Sequence, residues 1–195
     1  MTRVAGQREI PPTAGLPLRW QDLFNRSGDL ARDLAQQLDI PLPALPCSGT
    51  AALIMALRVL QQRMPGRTEL IVPAYTCPLV ALAAHHCPPL RVVACDLKPG
   101  SIDLDEQQLA QLCNENTLAI VVTHLAGRVA DVDAATRIAG PFGVAVIEDA
   151  AQAMGARDEG KSVGLKGDIG FFSMALGKGL TTAEGGVLFS RDSAL

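Results

Sequence analysis

Residues 171–186 read FFSMALGKGLTTAEGG, and this stretch guides the interpretation of the whole sequence. It begins as the end of an apolar strand, passes through a glycine-rich turn and returns into a second apolar run at 187–190. Lys178 lies between Gly177 and Gly179, and glycines allow positive φ angles and keep bulk away from the amine. The turn can therefore present Lys178 to a carbonyl carbon. The alternative is an ordinary solvated lysine on a surface loop, which is what most lysines are.

Two further features narrow the interpretation of Lys178. Asp149 comes just after the apolar run 143–147 (GVAVI), and Gly49 and Thr50 lie in a small-residue turn before a helical pattern. Taken singly, the acid and the turn are typical of helix caps. Together with the lysine they predict a site for pyridoxal 5′-phosphate (PLP). That cofactor requires an amine for its aldehyde, an acid for its ring nitrogen and a helix N-terminus for its phosphate.

Composition limits the class of protein. The 195 residues are 48% hydrophobic and 19% charged, with a formal net charge of -3, which suits one sizeable globular core. The mildly acidic, evenly spread charge argues against a nucleic-acid partner. Residues 1–15 contain no apolar h-region, so we do not expect them to be a secretory signal. No apolar run is long enough to span a bilayer, so we expect no membrane partner and a cytoplasmic location. Five widely spaced cysteines without a CxxC pair predict buried free thiols and no metal site.

The order of the segments predicts an α/β fold. Residues 1–26, rich in proline and glycine near their middle, are predicted to form an arm, and residues 27–195 a single domain. Predicted strands cover 69–73, 90–94, 118–122, 143–147, 168–173 and 187–190; predicted helices cover 27–38, 50–60, 79–86, 105–112 and 132–138, and a short one begins at Ala150. Continuous apolar strands alternating with helices indicate a parallel-rich sheet flanked by helices. Ligands bind such sheets at the carboxyl ends of the strands.

Five motifs, in this order and at these approximate separations, resemble one enzyme family. They are SGTAAL (48–53), VPAYT (72–76), THLAG (123–127), IEDAAQAMGA (147–156) and VGLKGDIGFFSMALGKGLTTAEGG (163–186). From about residue 10 onward the sequence resembles the N-terminal half of DegT/DnrJ/EryC1/StrS-type aminotransferases. These are fold-type-I PLP enzymes, many of which aminate keto-sugars attached to nucleotides. The resemblance implies the large PLP-binding domain of that fold, truncated, with the small C-terminal domain absent.

The resemblance also implies a role for each of six residues. Lys178 would attach PLP covalently, Asp149 would pair with the pyridine nitrogen, and Gln152 would lie near the ring hydroxyl. The phosphate would lie at Gly49, Thr50 and Ser173.

Three positions leave alternatives open. His124 either contacts substrate or cofactor or is a hydrogen-bonded structural histidine, and Glu148 is a structural or a solvated neighbour of Asp149. Many relatives carry an aromatic residue that stacks on the PLP ring where this sequence has Cys77. The thiol offers far less stacking area, so either cofactor affinity is lower or another side chain covers the ring. Tyr75 is the nearby candidate.

The activity implied by the resemblance is PLP-dependent transfer of an amino group from an amino acid, expected to be glutamate, to a keto-sugar nucleotide by a homodimer. The alternative is a truncated, non-catalytic fragment with weak or no PLP binding, because the family normally continues beyond the point where this sequence stops. A third hypothesis, a mononucleotide-binding domain unrelated to PLP, predicts nucleotide binding without the cofactor.

Overall fold

Helices and strands alternate along residues 28–192, the part of the chain that the computed structural model describes. The helices are α1 (Leu30–Leu38), α2 (Gly49–Arg63), α3 (Pro78–His85), α4 (Glu106–Leu112) and α5 (Val132–Ala139), the last followed by a 3-10 turn (Gly140–Phe142). The strands are β1 (Glu69–Pro73), β2 (Arg91–Cys95), β3 (Thr117–Thr123), β4 (Ala145–Asp149), β5 (Arg157–Asp158), β6 (Lys161–Ser162), β7 (Ile169–Ser173) and β8 (Gly186–Ser190). The arm predicted over residues 1–26 lies outside the described residues.

Six strands form one sheet in the order β2-β1-β3-β4-β7-β8. Strands β2, β1, β3, β4 and β7 are parallel, and β8 is antiparallel to β7. The predicted parallel-rich α/β fold is therefore confirmed. Every residue of β1, β3, β4 and β7 is buried, which explains why these segments are mostly apolar in sequence. Ala44 pairs with Leu188 through both backbone groups and covers part of the outer edge of β8.

Helices cover both faces of the sheet and build two main cores. One contains buried residues of α2 and α3, and the other contains buried residues of α4 and α5. Because side chains alternate along a strand, Ile147 of β4 packs into the first core and Val146 into the second. The same alternation directs Asp149 toward the α2 side of the sheet and Glu148 toward the opposite side. Two neighbouring acids thus enter different surroundings.

Local chemistry sets where the helices begin. Side-chain oxygens of Asp29, Ser48, Asp105 and Asp131 accept hydrogen bonds from first-turn N–H groups of α1, α2, α4 and α5, respectively. α3 begins at Pro78. Proline has no backbone N–H, so it suits the first position of a helix, where an N–H group would have no intrahelical acceptor. Helix α1 was predicted from residue 27, but Asp29 is its cap, and the helix starts at residue 30.

Two predictions around Asp149 were wrong in position. Strand β4 runs two residues further than the predicted 143–147, so Glu148 and Asp149 belong to the strand. No helix begins at Ala150, because the Asp149 carboxylate accepts a hydrogen bond from the Ala151 amide at 3.0 Å and closes a turn instead. The small β5–β6 hairpin was not predicted, since two-residue strands carry no periodic pattern.

Candidate active site

A cavity of about 230 Å³ opens at the carboxyl ends of β3, β4 and β7. It is lined by all six residues predicted to hold PLP, namely Gly49, Thr50, Asp149, Gln152, Ser173 and Lys178. These residues come from three separate segments of the chain, and the sheet brings their strand ends and turns to one edge. Their roles toward a cofactor remain predictions, but their shared location is a property of the fold.

The turn that carries Lys178 is fastened at its base by backbone hydrogen bonds. The Met174 amide donates to Gly185 O at 2.8 Å, and the Lys178 amide donates to Ala175 O at 3.1 Å. Gly177 has a φ of 84°, as expected for a glycine before the lysine, whereas Gly179 does not adopt a positive φ. The half-buried Lys178 is thereby directed toward the cavity.

Lys178 differs from the other three lysines of the sequence. Lys98 pairs with Glu106 at 2.7 Å, and Lys166 pairs with two aspartates at the same distance. Lys161 is exposed on the β5–β6 hairpin. Within residues 28–192, no carboxylate lies within ion-pairing distance of Lys178. Lys178 therefore lines the cavity with an amine that is available to a ligand.

Asp149 is a buried carboxylate with one protein donor. The Ala151 amide bonds to its Oδ1, and Oδ2 has no donor among the described residues. Burial raises the pKa of Asp149, and the Ala151 hydrogen bond and the positive charge of Lys178 offset this effect only in part. A buried carboxylate in this situation favours a cationic hydrogen-bond donor.

The opposite end of the cavity presents hydrogen-bond donors. Ser48 caps α2 by accepting the Ala51 amide at 3.0 Å, and the amides of Gly49 and Thr50 have no acceptor within residues 28–192. A Cβ atom on Gly49 would lie 3.0 Å from Ser173 Cβ, so a glycine allows the helix end to approach the serine this closely. Free N–H groups, the helix dipole and a hydroxyl together form a suitable anion site.

Gly186 holds the α2 N-terminus against the sheet, and its replacement by alanine is expected to destabilise the protein by about 1–3 kcal/mol. A Cβ atom there would overlap the Ser48 carbonyl group and lie 2.6 Å from Ser48 C. Urea unfolding measures the loss. Gly140→Ala is the matched control, because a Cβ at Gly140 meets no atom within 4 Å and its φ is -52°. Equal midpoints for both variants would contradict the proposed overlap.

Gln152 has a defined orientation. Its Oε1 accepts a hydrogen bond from the Ala126 amide at 3.0 Å. Its Nε2 has no acceptor among the described residues and is left to donate to an oxygen in the cavity. Gln152 therefore fits a ligand with a hydroxyl or phenolate oxygen.

His124 and Glu148 form a buried pair. The Ala130 amide donates to His124 Nδ1 at 3.0 Å, so His124 carries its proton on Nε2 and donates it to Glu148 at 2.8 Å. Both ring nitrogens are thus used by the protein. This favours the structural interpretation of His124, although the residue also lines the cavity. Glu148 is 1% exposed, so the solvated alternative for it was wrong.

Cys77 lines the cavity, and Tyr75 does not. Tyr75 is 70% exposed, so the possibility that it covers a ring in this cavity is not supported. Several lining residues were not singled out from the sequence, namely Leu53, Leu79, Val80, Leu125, Ala151, Phe171 and Ala175. Most are apolar residues in helical or strand patterns, which in sequence cannot be distinguished from core residues.

The described residues are also informative about metal clusters and membrane-spanning helices. Residues 28–192 hold no cluster of three side chains suited to a metal ion. Nor does any helix within that range have the length and apolar character needed to cross a membrane. All five cysteines are free thiols, and Cys87, Cys95 and Cys113 are buried. The prediction of burial was wrong for Cys47 and Cys77, which are exposed.

Known proteins are similar to this chain in sequence and architecture. L-glutamine:2-deoxy-scyllo-inosose aminotransferase of Streptomyces fradiae is 35% identical over 182 residues, which are 92% of this chain and 41% of that protein. GDP-perosamine synthase of Caulobacter vibrioides is 38% identical over 153 residues, or 78% of this chain and 40% of that protein. Spr1654 of Streptococcus pneumoniae, assigned as a sugar aminotransferase and solved in a PLP form, superposes with a TM-score of 0.78 at 27% identity, covering 90% of this chain and 50% of that one.

The chain therefore spans about 40% of the length of these two sequence relatives. The sequence profile of the DegT/DnrJ/EryC1/StrS aminotransferase family matches residues 19–195, most of the chain. The chain belongs to the DegT/DnrJ/EryC1/StrS aminotransferase family.

Proposed function

We propose that this chain forms the PLP-binding part of an aminotransferase that moves an amino group from an amino acid to a keto-sugar. One observation carries the proposal. The amine of Lys178 and the buried carboxylate of Asp149 line the same cavity, and each lacks a full set of protein partners among residues 28–192. An amine and an unpaired acid in one cavity are the groups that hold a pyridine aldehyde.

The cavity fits PLP at both ends. Asp149 Oδ2 offers an acceptor for a protonated ring nitrogen, which would also supply the missing positive charge. The free amides of Gly49 and Thr50 offer donors for the phosphate, beside the Ser173 hydroxyl. The close approach permitted by Gly49 brings these donors together.

Each residue then has a defined task. When bound, PLP supplies an electron-accepting ring that makes loss of a proton from the Cα of an amino acid feasible. Asp149 would keep the ring nitrogen protonated, and Gln152 would orient the ring through its free amide hydrogens. Lys178 Nζ would hold the aldehyde carbon, and as a free amine it would move a proton at the substrate Cα.

For substrates, we propose glutamate as donor and a keto-sugar nucleotide as acceptor. GDP-perosamine synthase is named for a nucleotide sugar, whereas the Streptomyces relative is named for L-glutamine and a cyclic ketone without a nucleotide. Assays should therefore compare glutamate with glutamine, and nucleotide-linked with free keto-sugars. A homodimer and a cytoplasmic location complete the proposal, and the free thiols fit a reducing compartment.

A second candidate function is PLP binding without turnover by this chain alone. It is favoured by one fact, that the chain matches about 40% of the length of these two relatives. Exposed apolar residues near the lysine turn, such as Leu176 at 68% exposure, suit further contacts. Turnover of a keto-sugar by the 195-residue chain would exclude this candidate.

The deciding experiment is reduction of the PLP-treated protein with borohydride, followed by peptide mapping. We expect an absorbance band on PLP addition and a reduced adduct on Lys178. Lys178→Arg should lose both. Lys161→Arg is the matched control, because Lys161 is exposed and lies outside the cavity. Label spread evenly over the four lysines would refute a specific site.

Cys77 gives an independent measure of cofactor binding. In a Cys47→Ser background, Cys77 is the one exposed thiol left of the five. PLP at ten times its Kd is expected to slow alkylation of Cys77 by N-ethylmaleimide about tenfold, because the ligand occupies the cavity that the thiol lines. In the reciprocal Cys77→Ser protein, alkylation of Cys47 should not respond to PLP. Unprotected Cys77 at saturating PLP would place the cofactor elsewhere.

A further inference from the structure

A buried hydrogen-bond network lies behind the cavity, on the side of β4 opposite Asp149. Its centre is Glu148, whose carboxylate is 1% exposed and accepts four hydrogen bonds. His124 Nε2 and the Gly164 amide donate to Oε2 at 2.8 and 2.7 Å, and the amides of Lys166 and Gly167 donate to Oε1 at 2.7 and 2.6 Å. Both oxygens are fully used, so Glu148 has no capacity left for a ligand.

The loop around Glu148 depends on glycines at three-residue spacing. A Cβ on Gly164 would lie 2.6 Å from Phe189 Cζ, and one on Gly167 would lie 2.7 Å from Val146 O. A Cβ on Gly170 would overlap the backbone of Gly164. This close packing brings three amides to one carboxylate. It gives the VGLKGDIG motif a structural purpose that its sequence alone did not reveal.

His124 connects this network to the cavity by two routes. Its backbone amide donates to the Asp149 carbonyl at 2.9 Å, which fixes the end of β4 beside β3. Its ring accepts the Ala130 amide and so closes the loop 125–129. Within that loop the Ala126 amide binds Gln152, and Ala126 has a φ of 53°, a conformation that an alanine adopts only under constraint.

We infer that Glu148 and His124 are positioning residues, which set the orientation of Asp149 and Gln152 toward the cavity. The inference rests on the proposed function for its consequence, since Asp149 and Gln152 are proposed to hold PLP. The hydrogen bonds themselves do not depend on that function. Neither Glu148 nor the His124 ring has a free polar atom with which to contact a substrate.

An isosteric change separates positioning from bulk stability. In Glu148→Gln, the new amide group must face either His124 or backbone N–H groups, all of which are donors. His124 can accept from the amide only by moving its proton to Nδ1, and it then cannot accept the Ala130 amide. Exchanging one oxygen for nitrogen therefore loosens the loop that holds Gln152.

Hydrogen exchange of the cofactor-free chain tests the network directly. Glu148→Gln is expected to speed exchange at the amides of Ala126 and Ala151, the donors to Gln152 and Asp149, at least tenfold relative to the strand core. Leu109→Ala is the control, because Leu109 is buried on the same face in α4 but bonds to neither loop. If exchange of all amides accelerated equally in both variants, Glu148 and His124 would have only a general structural role.

The Kd of PLP gives the functional readout at a temperature where all variants are folded. We expect Glu148→Gln to raise it at least fivefold and Leu109→Ala to leave it unchanged. If Glu148→Gln fails to fold, His124→Asn replaces it, because this variant keeps the three backbone donors to Glu148. It should speed hydrogen exchange at the same two amides, those of Ala126 and Ala151.

Nitrogen NMR of wild-type His124 should show the proton on Nε2, and a proton on Nδ1 would overturn the inference.

Failure of the two proposals is distinguishable. If wild-type protein binds no PLP, the proposed function fails, and selective exchange at Ala126 and Ala151 still decides the positioning inference. If wild-type protein binds PLP and Glu148→Gln binds it equally well with unchanged exchange, the positioning inference fails alone.

Discussion

Asp149→Asn is expected to make the cofactor-free protein more stable at neutral pH and to make it a poorer binder of PLP. The substitution would keep the turn, because an amide oxygen can still accept from Ala151 as Asp149 Oδ1 does. What it removes is a buried negative charge without a protein donor on Oδ2. Stability and function should therefore move in opposite directions, as is typical of residues kept for a site.

The pH dependence has a definite sign. Burial raises the pKa of Asp149 in the folded protein, so folding favours the protonated form. The contribution of this group to stability is fully present below its ordinary pKa and is lost as the pH rises through the raised value. The advantage of the asparagine variant should accordingly be absent in acid, grow across that interval and then stay constant. Urea unfolding of both proteins from about pH 3 to 8 measures it.

The functional loss follows from the charge. A hydrogen bond to a charged group contributes about 1.5–3 kcal/mol, so PLP affinity should fall about 10- to 100-fold. Turnover with a keto-sugar acceptor should fall by about 10²- to 10³-fold, because a neutral amide cannot hold the ring nitrogen protonated. The spectroscopic titration with PLP reports the first effect without any assay of turnover.

Asp131→Asn is the matched control, since Asp131 is exposed and caps α5 through its side-chain oxygen. It should change neither PLP affinity nor the neutral-pH midpoint appreciably. Unchanged affinity in Asp149→Asn would remove Asp149 from the cofactor site. A lower urea midpoint for Asp149→Asn than for wild type at neutral pH would show that the Asp149 charge stabilises the folded protein, contrary to this prediction.

The sequence patterns predicted the fold well, for a physical reason. Strands buried on both faces must be apolar at nearly every position, so runs such as LAIVV at 118–122 identify the sheet without tertiary information. Parallel strands also place their carboxyl ends together, which is why Asp149, Ser173 and Lys178 could be expected at one edge. The combination of the lysine, the acid and the small-residue turn predicted a PLP site, and the family resemblance supplied the role of each residue.

Other features required the three-dimensional structure. Glu148 and Asp149 lie on opposite faces of the sheet because both belong to β4, whereas the predicted strand stopped before both residues. The closeness of Gly186 to Ser48 joins positions far apart in sequence, so no local pattern reports it. Tyr75 and Cys77 are two residues apart, and only the turn before α3 determines which of them lines the cavity.

Glu148→Ala is expected to lower the free energy of unfolding at neutral pH by about 3–5 kcal/mol, a large part of the roughly 5–15 kcal/mol typical of a domain. The variant leaves the His124 Nε2–H and three backbone N–H groups buried without an acceptor. Burial by itself raises the pKa of Glu148, but the hydrogen bonds from His124, Gly167 and Gly164 outweigh burial and hold the pKa below the ordinary value.

The stabilisation by Glu148 is therefore present above the ordinary pKa and is lost as the pH falls through the lowered one. The difference between wild type and variant in urea unfolding should be constant near neutrality and shrink in acid. Glu106→Ala is the comparison. Hydrogen bonds with Arg137 and Lys98 lower the pKa of Glu106 to about 2, yet its side chain is 35% exposed and solvent screens the ion pairs. Glu106→Ala should thus cost far less, and equal losses in the two variants would mean that the buried network around Glu148 contributes no more than a surface ion pair.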